Sequence, residues 1–255
     1  MVTVLTKPAV VEIDAMGLTH KQMNARLREV VAGGAERIEL HNVFGQKYIG
    51  TDLNRPVEIH IHGTPGGNLG SFMKGPRITV YGNAQDGTGN TMDSGEIVVH
   101  GHAGDITGLA ARGGKVFIRD YVGYRTGIHM KEYGAKKPIV VVGGTAQDFL
   151  GEYMAGGVLV VLGLDLKEGE THKANFIGTG MHGGVIYLRG KVNDYQLGKE
   201  VGVAELNDID WAILRPLVEE YAAHFGLNAE EIIGRGEFSK LYALSLRPYG
   251  RLYAY

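Results

Sequence analysis

Six copies of one glycine-marked module run through the middle of the chain and restrict what it can fold into. The anchors are Gly70, Gly89, Gly108, Gly127, Gly151 and Gly178, at steps of 19, 19, 19, 24 and 27 residues. Three positions on stand Met73, Met92, Ala111, Met130, Met154 and Met181. Six positions on stand Gly95, Gly114, Gly157 and Gly184, with Gly75 and Gly134 one residue early or late, and at twelve stand Gly82, Gly101, Gly163 and Gly190. A short repeat of this kind stacks unit on unit, each burying its apolar face only against its neighbours.

Between the glycines lies a strand with period-two alternation. Ile78, Ile97, Val116, Leu159 and Ile186 share one column, and Val80, Val99, Ile118, Val161 and Leu188 share the column two residues on, so both point the same way. Arg77, Glu96, Lys115, Tyr81, His100, Arg119 and Arg189 lie in columns expected to face water or a partner. A coil of about 19 residues is too short for a helix, a strand and a return, but holds short strands joined by glycine corners. The expected fold is mainly β: a single-stranded parallel β-helix, right-handed by the rule for parallel connections. A degenerate copy starting at Gly50 and ending in Val57 to Gly63 brings the count to about seven coils.

Short helical and mixed α+β flanks are expected on either side, giving an N-terminal cap over 1–46, the β-helix over 47–192 and a helical extension with a tail over 193–255. Thr19 and Gln22 have capping-box spacing, Met23, Leu27, Val30 and Val31 form a helical stripe, and Gly33-Gly34 ends it. A short strand from Arg37 to Leu40 follows, and this unit is expected to cover one open end of the coil stack. After Gly190 the pattern predicts helices over Asp208 to Leu214, Pro216 to Phe225 and Asn228 to Ile233, with Pro216 as a first helical residue and Asn228 with Glu231 as a second capping box. The Tyr-rich segment from Phe238 onward, including the RPYG run Arg247–Gly250, is expected to fold back on the coils or to dock on another subunit.

Glycine at 40 of 255 residues is about twice the usual ~7%, yet only 7 prolines and no Gly-X-Y period exclude collagen and low-complexity disorder. Without cysteine the chain offers neither disulfides nor Fe–S ligands and suits a reducing cytoplasm. A net charge of −2 gives no footprint for nucleic acid, no apolar run reaches the ~20 residues of a membrane span, and Lys7, Pro8 and Glu12 interrupt any signal peptide.

The motifs that suggest chemistry read as structure. The run GGTAQDFLGEYMAGG has the glycine density of a phosphate loop, but its spacing recurs along the chain and no helix pattern follows. His60/His62 and His100/His102 lie two coils apart, too far to share a zinc ion. Asp86, Asp105, Asp148 and Asn175 recur three residues before their anchors, as turn residues bonding their own backbone do. Ser71, Ser94, Ser239 and Ser245 lack a Gly-x-Ser-x-Gly elbow, and no carboxylate pair stands out. No catalytic, cofactor-binding or metal residue is assigned, and the six anchor glycines are expected to be structural.

The runs GNTMDSGEIVVHGHAGDITGLAARGGKVFIRD, GYRTGIHMKEY, DFLGEYMAGGVLVVLG and GTGMHGGVIYLRG resemble the GXGXG domain at the C-terminus of the glutamate synthase large subunit. The resemblance covers about Gly50 to Gly190, and the flanks are similar to the free-standing form of that domain. It implies a right-handed β-helix that carries no catalytic residues and bridges two partners: a glutamine amidotransferase, and a synthase domain holding FMN and an Fe–S cluster. On that resemblance the chain is a separate cytoplasmic scaffold subunit of an archaeal-type split glutamate synthase, not an enzyme alone, with FMN and Fe–S on its partner. Isolated, it could self-associate through one end of the stack.

Two alternatives stand beside it. Similar repeats in one of the subunits of formylmethanofuran dehydrogenase and in one of those of N-methylglutamate synthase imply a scaffold for a different complex. A stand-alone β-helix hydrolase would need carboxylates clustered in a groove and rows of stacking aromatics, whereas the single tryptophan, Trp211, lies outside the coils.

Overall fold

The computed structural model describes residues 10–245 and contains one 11-stranded sheet. Strands β3 (Glu58–Thr64), β4 (Lys74–Val80), β5 (Ser94–Val99), β6 (Lys115–Ile118), β7 (Ile139–Val142), β8 (Ala155–Val161) and β9 (Gly183–Arg189) pair in parallel, each with the next. Register is one repeat per step: Ile78 lies against Ile97, Ile97 against Val116, Val116 against Val140, Val140 against Leu159, and Leu159 against Ile186. The expected parallel β-solenoid is therefore present. Its seven strands enclose about six turns, one fewer than expected. Both inner columns and the methionine column are fully buried in one continuous core.

The longer steps have a local cause. In the fourth copy extra residues before β7 form a small turn closed by Tyr133 and Lys136, and in the fifth the surplus leaves the coil after Leu162. Insertions at a corner leave strand register untouched because they add no residue to the ladder.

The N-terminal segment extends the same sheet. Strand β1 (Val10–Asp14), which the residue pattern did not foreshadow, pairs in parallel with β2 (Arg37–Phe44), longer than the expected strand, and β2 pairs with β3. Helix α1 (His20–Ala32) makes the crossover, with both halves of the Thr19/Gln22 capping box formed and Met23, Leu27 and Val31 in the solenoid core.

At the other end the sheet turns antiparallel. Strands β10 (Val201–Glu205) and β11 (Phe238–Ala243), which the residue pattern did not foreshadow, flank the helices expected after Gly190, and β11 inserts between β9 and β10. The described part of the tail thus folds back on the coils; RPYG lies outside the described residues. The two helices expected around Pro216 are one, α2 (Asp208–Phe225), capped by Asn207. Pro216 removes an internal hydrogen bond, a cost of about 3 kcal/mol. It sits on the exposed side, however, where water reaches the freed carbonyl, while Leu214, Leu217, Val218, Tyr221 and Ala222 bury the opposite side. Helix α3 (Ala229–Gly234) follows, with Asn228 accepting from the Glu230 and Glu231 N–H groups.

Helix α2 also corrects the expectation that the outer sheet face meets water or a partner, because this chain covers part of that face itself. Val98, Phe117, Val141, Val160 and Tyr187 point outward into a second core with α2. Glu96 and Arg189 are 8% and 7% exposed, and the Arg189 guanidinium donates to the carbonyls of Leu162 and Gly163. The alternation shows which residues share a face, but not that a distant helix covers the second one. Among the described residues no helix is long and apolar enough to cross a membrane.

Candidate functional site: the left-handed corner and its ring columns

Every coil turns at its anchor glycine, and the turn has a conformational signature. Including Gly50, the anchors have φ between +64° and +76°. Residues two before and two after them are left-handed as well. Among the described residues thirteen non-glycines have positive φ, and twelve occupy these flanking positions: Tyr48, Asn68, Ile106, Arg125, Phe149 and Phe176 before, and Asp52, Phe72, Thr91, Ala110, His129 and Tyr153 after. Gly87 and Gly180 complete the two columns.

Hydrogen bonding explains the alternation. The Gly108 N–H donates back to Thr88 on the preceding coil at 2.8 Å, whereas the Ile106 and Ala110 N–H groups donate forward to Tyr124 and Ile128 at 2.7 and 2.8 Å. In an extended strand, N–H groups two residues apart point to the same side. Positive φ at alternate residues reverses them, so the corner pairs with both neighbouring coils and leaves these donors satisfied.

The central position demands glycine on packing grounds in every coil, whereas most flanking positions hold a side chain. A β-carbon at Gly70, Gly108, Gly127, Gly151 or Gly178 would lie 2.6–2.9 Å from a branched side chain of the following coils, such as Val140 for Gly108 and Leu159 for Gly127. At Gly89 the nearest atom, on Val116, would be 3.0 Å away. The anchor glycines thus stand where the corner presses on the core.

Several flanking positions carry large, partly or fully exposed side chains at a backbone cost of about 1–2 kcal/mol each. Phe72, Tyr153 and Phe176 are 54%, 46% and 53% exposed. In one column the Arg125 guanidinium sits 4.8 Å over the Phe149 ring, and Phe149 stacks on Phe176 at 4.9 Å and 13°. In the other, His129 stacks on Tyr153 at 5.4 Å, and Tyr153 lies over Gly180. Glu152 ties Arg125 down at 2.9 Å. Strained, exposed aromatic and arginine side chains with fixed geometry form the kind of surface that protein partners use.

The chain belongs to the GXGXG-motif family. That family's model matches residues 19–242. An uncharacterized protein of Methanocaldococcus jannaschii, MJ1350, is 43% identical over 250 residues, covering 95% of this chain and 96% of the relative. GXGXG domains occur in glutamate synthase-type oxidoreductases.

Several of the other residues singled out in the sequence have structural partners in this GXGXG chain. His62 bonds Glu39 at 2.8 Å and stacks on His41 and Tyr81; His60 contacts the Tyr81 hydroxyl at 3.0 Å, and His102 stacks on Tyr121. Burial works to raise the Glu39 carboxyl, but the bonds from His62 and Arg37 outweigh it and hold it below the usual carboxylate range. Burial, with Arg119 and His224 adding to it, makes the His100 ring harder to protonate. Ser71 donates to the Asn68 carbonyl. The Asp ladder departs from the expected local turn: Asp86, Asp105 and Asp148 accept N–H groups of the next coil, from Asp105, Tyr124 and Asn175.

The ring columns are not evident from the repeat alone. The signal lies in the letters between the glycines: in Phe-Leu-Gly-Glu-Tyr at 149–153 aromatic residues occupy the two flanking places that glycine fills in the motif's name.

Proposed function

We propose that this chain is a non-catalytic scaffold subunit of a split glutamate synthase, joining a glutaminase subunit to a synthase subunit that carries FMN and Fe–S and makes glutamate from glutamine and 2-oxoglutarate. Family membership supports the enzyme class. The observation that carries the scaffold role is the stack of Arg125, Phe149 and Phe176, held on the surface in left-handed backbone although glycine would be cheaper. Selection for stability alone gives no reason to keep aromatic rings there; a partner that buries them does.

The test is native purification of the tagged chain from its own cells, with mass spectrometry and an absorbance spectrum. A glutaminase-like chain with a flavin and Fe–S protein is the expected result. Molybdopterin proteins would move the chain to the other complex, and activity or flavin colour in the pure chain would overturn the scaffold reading. A Phe149→Ser/Phe176→Ser double variant should fold and release the partners; retention of the partners would dismiss the ring column as the docking surface.

A further inference from the structure

Glu220 and His224 lie one turn apart on α2 and face the sheet where Glu96 rises from β5. One ligand atom from each of the three lies within 4.8 Å of the other two. Glu96 is 8% exposed, and two atoms here are buried without a hydrogen bond: Glu96 Oε1 and His224 Nε2. They stand 3.7 Å apart, too far for a direct bond. Leaving such groups unmatched costs about 1–3 kcal/mol apiece.

The neighbouring cations do not resolve this. Arg77 Nε lies 2.9 Å from Glu96 Oε1, a charge contact whose N–H is not directed at the oxygen, so the oxygen is paired in charge and unpaired in geometry. Lys115 Nζ donates to both oxygens of Glu220 at 2.9 and 2.6 Å. Both side chains reach in from solvent, 57% and 38% exposed, and can shift outward. The Phe117 ring, 4.8 Å from the imidazole, holds His224 in place.

We propose that Glu96, Glu220 and His224 bind a divalent transition-metal ion, with Zn²⁺ the best fit. One imidazole nitrogen and two carboxylates form a tetrahedral set with one open position, whereas Ca²⁺ and Mg²⁺ call for more oxygens than the site offers. A single ion would satisfy both stranded atoms. Glu96 also lines a groove of about 370 Å³ with Gly75, Gly95, Gly114, Arg77, Lys115 and Lys137, from which water or a small anion could complete the shell. The ion would pin α2 to β5, and its affinity would be limited by the two cations it must displace.

The test uses the untagged, metal-stripped full chain titrated with zinc chloride by calorimetry, with Co²⁺ absorbance as a second readout. One saturable equivalent, a raised melting temperature and a Co²⁺ visible band are expected, with affinity falling about tenfold or more in His224→Gln and in Glu220→Gln. Glu220→Gln alters a half-exposed side chain and keeps the test open should His224→Gln fold poorly. No saturable binding, or binding that survives both changes and so belongs to other histidines, overturns the proposal.

Discussion

The Asp86 carboxylate accepts, at 2.9 Å, the backbone N–H of Asp105, the residue holding its own place one coil later. Asp105 does the same for Tyr124 at 2.8 Å, and Asp148 for Asn175 at 2.8 Å. Glycines at Gly104 and Gly123 leave room for these carboxylates, which a β-carbon there would strike. Asp105→Ala should cost about 1 kcal/mol in chemical denaturation and Asp105→Asn clearly less, since the amide oxygen still accepts. Equal losses in the two variants would mean that the charge, not the hydrogen bond, matters.

Two substitutions two residues apart should have opposite signs. Gly108 has φ +73° and would place a β-carbon 2.9 Å from Val140, so Gly108→Ala should lose more than about 1 kcal/mol, and Gly108→Val more still. Ala110, at φ +50° and half-buried, already bears the left-handed penalty, so Ala110→Gly should gain about 0.5–1 kcal/mol. Thermal melts of both decide it.

The coil geometry was legible in the sequence because it is written in columns: Ile97 over Ile78 and Met92 over Met73 repeat the same contact. The closing elements were not. Val10–Asp14 and Phe238–Ala243 are strands only because β2 and β9 offer them an edge, and Pro216 lies inside a helix because buried Leu217 and Tyr221 outweigh its local preference. The ring columns keep the anchor spacing, but their side chains change from coil to coil, so the repeat marks the places and not the rings; the Glu96, Glu220 and His224 group spans 128 positions, from Glu96 to His224, where no period connects its members.

His172 is buried, and its Nε2 donates to the Arg189 carbonyl at 2.8 Å. Burial lowers its affinity for a proton. Below the ordinary histidine range, near pH 6.5, the unfolded chain therefore takes up a proton that the folded chain resists. Stability is complete above that range and falls as pH drops through it, until the folded ring also titrates; His100 adds in the same direction. Melting temperatures from pH 8 to pH 5.5 should decline, and His172→Gln, which keeps a donor, should flatten the decline. An unchanged slope would assign the pH dependence elsewhere.

Tyr221 reaches from α2 to donate to the Arg119 carbonyl at 2.8 Å, passing over Gly143, where any β-carbon would strike its hydroxyl. Tyr221→Phe should cost about 1 kcal/mol and Gly143→Ala more than about 2 kcal/mol, because the latter must displace the ring and the buried helix face with it. A tolerated Gly143→Ala would show that α2 can ride outward freely.

The β9-β11-β10 arrangement, in which an antiparallel strand seats itself against the last coil, makes the stack a measuring stick with a fixed stop. Its length is counted in whole coils of roughly 4.8 Å each, and both ends are built from sequence outside the repeat. Duplicating a single coil such as residues 89–107 would move the N-terminal and C-terminal ends one notch apart without rewriting either. Any two proteins gripping those ends would be held at a separation set by repeat number alone.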